Sequence, residues 1–303
     1  MRLLPLLLLL SSLLSSCALP RETATRWTML NVTPKEWQAD CHLLQFPGGI
    51  NVLVDAGEAA DAPPGTALAA LKKLQIEHLS LVVISHFHRD HYGQLIALLN
   101  AGIKVDRVVL NVPVKESADT EIPWGCDWND VQAVLAELRT RKIPYTTPKA
   151  GERILEIKTG NGFTAGIDVL CCYDGLNSPL GLTDVNDTSI IMRVFHGPTR
   201  ALFTGDLNHR LGAYLAKSDI DLKADLLKAP HHGTEGTAPN EFYDRVAAKA
   251  VLVPTSKTLW ESARSMRIRN YFIEHKIPTY ITGINGNATA ILTARSYEIT
   301  TER

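Results

Sequence analysis

The chain has 303 residues, of which 45% are hydrophobic and 21% are charged, as in an ordinary globular protein. This length suits one large domain or two small ones and is enough to bury a substantial core. A formal net charge of −1 argues against tight nonspecific binding of nucleic acid or anionic lipid, which needs a strong positive field. It does not exclude a local basic groove.

The N-terminus has the pattern of a secretory signal, with Arg2, a leucine-rich run and then small residues. The segment LSSC at residues 14–17 resembles the lipobox of bacterial lipoproteins, which implies cleavage before Cys17 and a lipid on that cysteine. A plain signal peptide is the alternative. Because Ala18 follows, the resemblance implies the periplasmic side of an outer membrane, if the cell has one. The predicted divisions are a signal peptide at 1–16, a lipidated tether at 17–26 and one domain at 27–303.

The remaining sequence predicts strands and helices in both halves, and no change of composition marks a linker. In chain order we expect the strand RWTMLNV, the hairpin HLLQFPGGINVLVDAG, the helix GTALAALKKLQI, the strand LSLVVI, the helix YGQLIALLNAG, the strand VDRVVLNVP, the helix WNDVQAVLAELRTRK, the strands GERILEI, AGIDVLCC, TSIIMRVF and TRALFTG, the helix HRLGAYLAKS, the strand ADLLKAP, the helix EFYDRVAAK, the strand AVLVPTS, the helix ESARSMRIRNYFIEHK, and strands in IPTYIT and ATAILTARSYEITT. This mixture indicates two sheets with helices outside.

Four cysteines follow Cys17, namely Cys41, Cys126, Cys171 and Cys172. In an oxidising compartment one disulfide is expected. The adjacent Cys171 and Cys172 point to opposite faces of a strand and are not expected to pair with each other. No Cys-x-x-Cys spacing occurs, so a cysteine metal site is not expected.

Potential metal ligands follow three apolar strands. The segment SHFHRDH places His86 and His88 on one side of an extended stretch, while Asp90 and His91 lie past a turn and can face a second ion. A polar loop in which Asp90 caps a helix is the alternative. The segments LFTGDL and LKAPHHGT end two further strands in Asp206 and in His231–His232, which alone would suggest a turn aspartate and a surface histidine pair. Together the three strand ends predict one site at a sheet edge.

These three segments, in this order, resemble the metallo-β-lactamase superfamily, and WQAD, VDAG and NDTSIIMRV add a similarity to the hydrolase domain of the ComEC-type competence proteins. The resemblance spans roughly residues 27 to 297 and implies an α/β fold, the αββα four-layer sandwich. It also implies two divalent ions, zinc or manganese. The implied metal ligands are His86, His88, Asp90, His91, Asp206 and His232.

Within that set, the resemblance implies that His86 and His88 bind the first ion and that Asp206 bridges both. Asp90 and Asp206 would position a hydroxide held by the two ions. His232 is favoured over His231 for the second ion, and His231 would then be a proton donor or a phosphate contact. Asp55 resembles the acidic residue that orients a ligand histidine.

The sequence departs from the family pattern at the third histidine, which most relatives provide to the first ion. The segment TDVNDTSII has none, so Asp187, Asp184 or Asn186 would substitute, or the segment is an ordinary turn. His196 and His209 fall outside the matching positions and are expected at the surface. A true β-lactamase is therefore not expected.

The expected function is hydrolysis of a phosphodiester or phosphate ester outside the cytoplasm, with a small molecule or a polymer as substrate. Nucleic acid is expected only as a substrate, and the membrane only through the lipid anchor. The alternatives are a hydrolase of a lactone, thioester or other small ester on the same metals, and a metal-binding lipoprotein without catalysis.

Overall fold

A computed structural model describes residues 23–32, 36–58, 66–121 and 125–303. The predicted signal peptide and the lipidation of Cys17 lie outside these residues. The strands are β1 Thr25–Met29, β2 Cys41–Phe46, β3 Ile50–Ala56, β4 His78–Leu79, β5 Leu81–Ile84, β6 Lys104–Val105, β7 Val108–Leu110, β8 Tyr145–Thr146, β9 Arg153–Lys158, β10 Thr164–Cys171, β11 Ile191–His196, β12 Thr199–Phe203, β13 Leu226–Lys228, β14 Ala250–Val253, β15 Thr279–Ile281, β16 Ala288–Leu292 and β17 Tyr297–Thr301. The helices are α1 Ala67–Lys73, α2 Arg89–Tyr92, α3 Leu95–Asn100, α4 Lys115–Asp119, α5 Trp128–Thr140, α6 His209–Lys217, α7 Asn240–Val246, α8 Lys257–Glu261, α9 Met266–Glu274 and α10 Thr282–Asn285.

Two large sheets organise the described part of the chain. The first has eight strands in the order β17-β16-β1-β2-β3-β5-β7-β8, and the second has seven in the order β15-β14-β13-β12-β11-β10-β9. Strands β3, β5, β7 and β8 run parallel to one another, as do β12, β13, β14 and β15. Asp55 lies near the end of β3, and the segments after β5, β12 and β13 carry the predicted site residues His86, Asp206 and His231.

Three apolar layers separate four layers of structure. Between the sheets lie side chains such as Trp27, Val54 and Phe203. The outer face of the first sheet packs on α1, α3 and α5, and that of the second sheet packs on α6, α7 and α9. Strands covered on both faces need apolar residues at consecutive positions, which explains unbroken runs such as LVVI and AVLV. The predicted αββα sandwich is therefore confirmed.

Some local expectations are wrong. The helix predicted over ESARSMRIRNYFIEHK begins later, at Met266 of α9, because the Ser262 side chain accepts the Arg264 N–H and begins a separate 3₁₀ turn at Ala263–Ser265. The helix predicted over GTALAALKKLQI is shorter than expected, since α1 ends at Lys73 and the next residue, Leu74, is exposed. His196, expected at the surface, is buried with its Nδ1 3.0 Å from the Thr25 hydroxyl, whereas His209 is exposed as expected.

The four described cysteines are free thiols, and Cys41, Cys126 and Cys171 are buried. The disulfide expected from an oxidising compartment is therefore absent among them. Within the described ranges, no helix has both the length and the apolar character that crossing a bilayer requires.

Candidate metal centre

The ends of the strands and the loops after them contain residues with positive φ, whose side chains point into one site. Asp55, His231 and His232 have φ values of 58°, 46° and 52°, a region that residues other than glycine rarely adopt. Gly205 has φ 48°, and a Cβ there would lie 2.4 Å from the Ser189 Oγ. Only glycine fits before Asp206, and such strained positions cluster at functional sites.

Four side chains from the two sheets meet at the centre. The Asp206 Oδ2 lies 3.3 Å from the His91 Nε2 and 3.0 Å from the His232 Nε2. The Asp90 Oδ2 lies 3.1 Å from the His232 Nε2, and the Asp90 Oδ1 lies 3.9 Å from the His91 Nε2. Two imidazole nitrogens and two carboxylates thus face one another, which is a donor set that suits a divalent ion.

The opposite ring nitrogens of these histidines are already occupied. The His91 Nδ1 donates to the Asp55 Oδ2 at 2.8 Å, as expected for a carboxylate that orients a ligand histidine. The His232 Nδ1 lies 3.1 Å from the Pro254 carbonyl oxygen. In the neutral tautomers that these bonds select, both Nε2 atoms present lone pairs toward the carboxylates of Asp90 and Asp206.

The buried nitrogen atoms of the site fit a metal ion. Among the described residues, the Nε2 atoms of His86, His91 and His232 are buried without a hydrogen-bond partner. Lone pairs about 3 Å apart repel unless a proton or a cation lies between them. Burial lowers the pKa of His91 and His232, but the surrounding carboxylates, Asp206 first, raise both to well above the usual value. This centre therefore attracts positive charge, and a divalent ion would satisfy the unpaired nitrogens together.

His86 and His88 lie beside this cluster. Their ring centroids are 4.8 Å apart, and the His86 ring lies 4.1 Å from that of His91. The His86 Nδ1 contacts the hydroxyls of Ser85 and Ser189 at 3.1 and 3.3 Å, which leaves its Nε2 for the site. These histidines are not among the four groups whose ligand atoms all lie within 4.8 Å of one another, which are Asp40, His91, Asp206 and His232.

Glu121 is a functional candidate that no sequence pattern indicated. Its buried carboxylate accepts the His88 Nε2–H at 2.7 Å, and it also accepts the backbone N–H groups of Cys126 and Val185 at 2.9 and 2.7 Å. With Nε2 engaged, His88 keeps Nδ1 for a metal. Glu121 thus orients His88 as Asp55 orients His91.

Asp40, within the quoted segment WQAD, lies on the inner side of the cluster. Its Oδ1 is 3.0 Å from the His232 Nδ1, and its Oδ2 is 3.8 Å from the His91 Nδ1. Both contacts are with Nδ1, so Asp40 approaches the ring edges that face away from Asp90 and Asp206. We therefore assign Asp40 to the support of the histidines, although it falls within the four-group cluster.

The carboxylates expected to replace the missing histidine have other partners. The Asp187 Oδ1 accepts the Asn208 N–H at 2.8 Å, just before α6 begins. Burial, with the nearby Asp184, raises the pKa of Asp187 to about 7. The Asp184 Oδ2 accepts the Asn208 side-chain N–H at 2.8 Å, and the Asn208 Oδ1 in turn accepts the His231 Nδ1–H at 2.9 Å. Asp187, Asp184 and Asn186 all lie in the cavity wall.

This chain of hydrogen bonds determines what His231 offers. Its Nδ1 donates to Asn208, so a neutral His231 has a lone pair on Nε2, which lies 3.9 Å from the Asp206 Oδ2. Burial lowers the pKa of His231 to about 4. The neutral form accepts a proton or a hydrogen bond, and the expected role as proton donor would require the imidazolium form.

The centre opens into a cavity of about 930 Å³. Its wall includes Asp90, Asp206 and His231 from the centre. Further out lie Trp37, whose exposed fraction is 52%, and the three arginines Arg89, Arg210 and Arg264. The cavity can therefore bring a sizeable polar substrate to the metal ligands.

The sequence and the fold match known proteins. Residues 34–148 match the sequence model of the Metallo-beta-lactamase superfamily. Over 216 residues, or 70% of this chain, the sequence is 24% identical to ComE operon protein 3 of Bacillus subtilis (strain 168). The chain covers 24% of that protein, and thus spans about a quarter of the length of this curated relative.

Two solved structures show the same fold at low identity. CmlA, a diiron beta-hydroxylase from Streptomyces venezuelae, has a TM-score of 0.53 and 13% identity over 90% of this chain and 54% of its own. Unliganded yeast PDE1 has a TM-score of 0.50 and 14% identity, and the match covers 89% of this chain and 100% of the PDE1 chain. With its sandwich, its ligand cluster and the match of residues 34–148, the chain has the metallo-β-lactamase fold and is similar to the metal-dependent hydrolases of that superfamily.

Proposed function

We propose that the protein hydrolyses a phosphodiester or another phosphate ester outside the cytoplasm, using two divalent ions, zinc or manganese. The observation that carries this proposal is the meeting of the His91 and His232 Nε2 atoms with the Asp90 and Asp206 carboxylates at the wall of a 930 Å³ cavity. When bound there, divalent ions lower the pKa of water and stabilise negative charge on the attacked group.

Each side chain of the centre has a distinct task in this proposal. The ions would be bound by four histidines, His86, His88, His91 and His232. Each ring is oriented by a partner at its other nitrogen. The Asp90 and Asp206 carboxylates would bind the ions as well and would position the attacking water. The His231 Nε2 accepts a proton or a hydrogen bond from a group that enters the cavity.

The cavity wall supports a charged ester. Arg89 forms an ion pair with Asp130 at 2.8 Å, and Arg264 forms one with Glu235 at 2.7 Å, so both guanidinium groups are held in place. Arg210 is exposed on the same wall. Guanidinium groups bind phosphate oxygens by paired hydrogen bonds, whereas a neutral lactone or thioester gives them no anion to bind.

The test measures metal content and turnover together. The purified mature protein should contain up to two divalent ions per chain by elemental analysis, and it should hydrolyse bis(p-nitrophenyl) phosphate faster than small lactones or thioesters. Preference for a lactone or thioester would favour the alternative small-ester hydrolase. Bound metal without turnover of any ester would favour a non-catalytic metal-binding protein. Full activity after exhaustive chelation would refute the proposal.

A further inference from the structure

Lys228 is a buried lysine directly behind the metal ligands. It ends β13, and its side chain is only 1% exposed. Its Nζ lies 2.5 Å from the Asp40 Oδ2, 2.8 Å from the Gly205 carbonyl oxygen and 3.4 Å from the Asp206 Oδ1. Two carboxylates and a carbonyl oxygen thus surround the ammonium group. A charge buried this deeply needs such partners.

The two oxygens of Asp206 have different partners because of this lysine. Oδ1 is turned toward the Lys228 Nζ at 3.4 Å, whereas Oδ2 faces the Nε2 atoms of His91 and His232. The Asp206 N–H donates to the Ser189 Oγ at 2.9 Å, which fixes the backbone. An aspartate held in this way presents one oxygen to the metal site.

Asp40 links the lysine to a ligand histidine. Neither carboxylate oxygen of Asp40 forms a hydrogen bond among the described residues, yet Oδ2 is 2.5 Å from Lys228 and Oδ1 is 3.0 Å from the His232 Nδ1. Its backbone is anchored, since the Asp40 N–H donates to the Asp90 carbonyl oxygen at 3.0 Å. Without Lys228, the buried Asp40 charge would lack its nearest cation.

We propose that Lys228 is a positioning residue whose ammonium group holds the Asp206 Oδ1 and neutralises Asp40, so that Asp206 offers only Oδ2 to the metal. This inference rests on the proposed function, because it needs an ion at the centre. It follows that any bridge that Asp206 makes between two ions passes through one oxygen atom. Removing the lysine frees the second oxygen and changes the coordination of the bound ion.

The experiment removes both charges of the buried pair at once. Lys228→Met alone leaves Asp40 unpaired in the interior, which can prevent folding, so the test variant is Lys228→Met with Asp40→Asn. Co²⁺ is titrated into the metal-free variant and the metal-free wild type, and the visible absorption reports affinity and coordination. The control is Lys249→Met, which breaks a surface ion pair with Asp225 (Nζ to Oδ1, 2.8 Å).

The folded double variant should bind Co²⁺ about 10–100-fold more weakly than both the wild type and Asp40→Asn alone, the range for lost outer support of metal ligands. It should also show an altered absorption spectrum. Lys249→Met should match the wild type. Affinity and spectrum unchanged in the double variant would overturn the inference. If the wild type bound no Co²⁺, the proposed function would fail, and the inference with it.

A second measurement covers a double variant that does not fold. In a crystal structure of the wild type with Co²⁺, one Asp206 oxygen should lie on the metal and the other within hydrogen-bond distance of the Lys228 Nζ. Both Asp206 oxygens on metal, with Lys228 turned away, would overturn the inference.

Discussion

Replacing Glu121 by glutamine tests whether His88 is held in place for a metal ion. The Glu121 carboxylate is 1% exposed and accepts three hydrogen bonds, from the His88 ring and from the backbone N–H groups of Cys126 and Val185. Glutamine has the same shape but only one acceptor oxygen, and its NH₂ group would face at least one of these donors. The variant therefore leaves a buried donor unpaired.

The expected loss of stability follows from the number of donors left unpaired. A buried polar group without its partner costs about 1–3 kcal/mol. For a domain of this size, each kcal/mol lowers the melting temperature by roughly 2–4 °C. We therefore expect the metal-free variant to melt several degrees lower. Since His88 also loses the carboxylate that orients its ring, we expect about 10–100-fold weaker metal binding at the His86–His88 side.

The assay compares melting in chelator with a Zn²⁺ titration of the metal-free protein. Glu152→Gln is the matched control, because the exposed Glu152 carboxylate accepts one backbone N–H, from Lys149, at 2.9 Å. The control should change neither quantity. A Glu121→Gln protein with the melting temperature and Zn²⁺ affinity of the wild type would show that Glu121 does not support His88.

Three further predictions concern other parts of the chain. Asp206→Asn should remain folded in excess metal but hydrolyse a phosphodiester about a hundredfold more slowly or worse, since several kcal/mol of charge stabilisation are lost; near-normal turnover would make Asp206 a mere turn residue. His88→Ala should lower the metal-to-protein ratio by elemental analysis, and an unchanged ratio would exclude it as a ligand. Cys17→Ser should leave an unprocessed or soluble precursor, and fractionation as a mature membrane lipoprotein would contradict the lipid anchor.

The sandwich was predictable because its strands are buried on both faces. Runs such as LVVI and AVLV do not alternate between apolar and polar residues, because both faces of these strands are buried. The polar residues that follow them mark the sheet edge where the parallel strands end. The break between α8 and α9 was harder to predict. The Ser262 side chain accepts the Arg264 N–H and begins a separate 3₁₀ turn, so the helical pattern of ESARSMRIRNYFIEHK starts before α9 does.

The residues that support the ligands were not predictable, because each depends on partners distant in sequence. Glu121 is 33 positions from His88, and Lys228 is 22 positions from Asp206. Lys228 lies within the segment LKAPHHGT that indicated the site, yet the pattern gives no sign that its side chain turns inward. His196 looked like a surface residue because its partner, Thr25, is 171 positions away. The local sequence pattern indicates which residues can bind a metal ion. The residues that orient these ligands are determined by tertiary contacts.

The absent third histidine has a physical counterpart in the structure. The segment before β11 supplies Ser189 instead, whose hydroxyl accepts the Asp206 N–H at 2.9 Å and contacts the His86 Nδ1 at 3.3 Å. This serine supports two of the candidate ligands, Asp206 and His86. Asp187, the expected substitute, uses one oxygen to accept the N–H of Asn208 before α6. In the proposed two-ion site, the first ion would have fewer protein ligands than the second, and we expect it to depend most strongly on the orientation of His88.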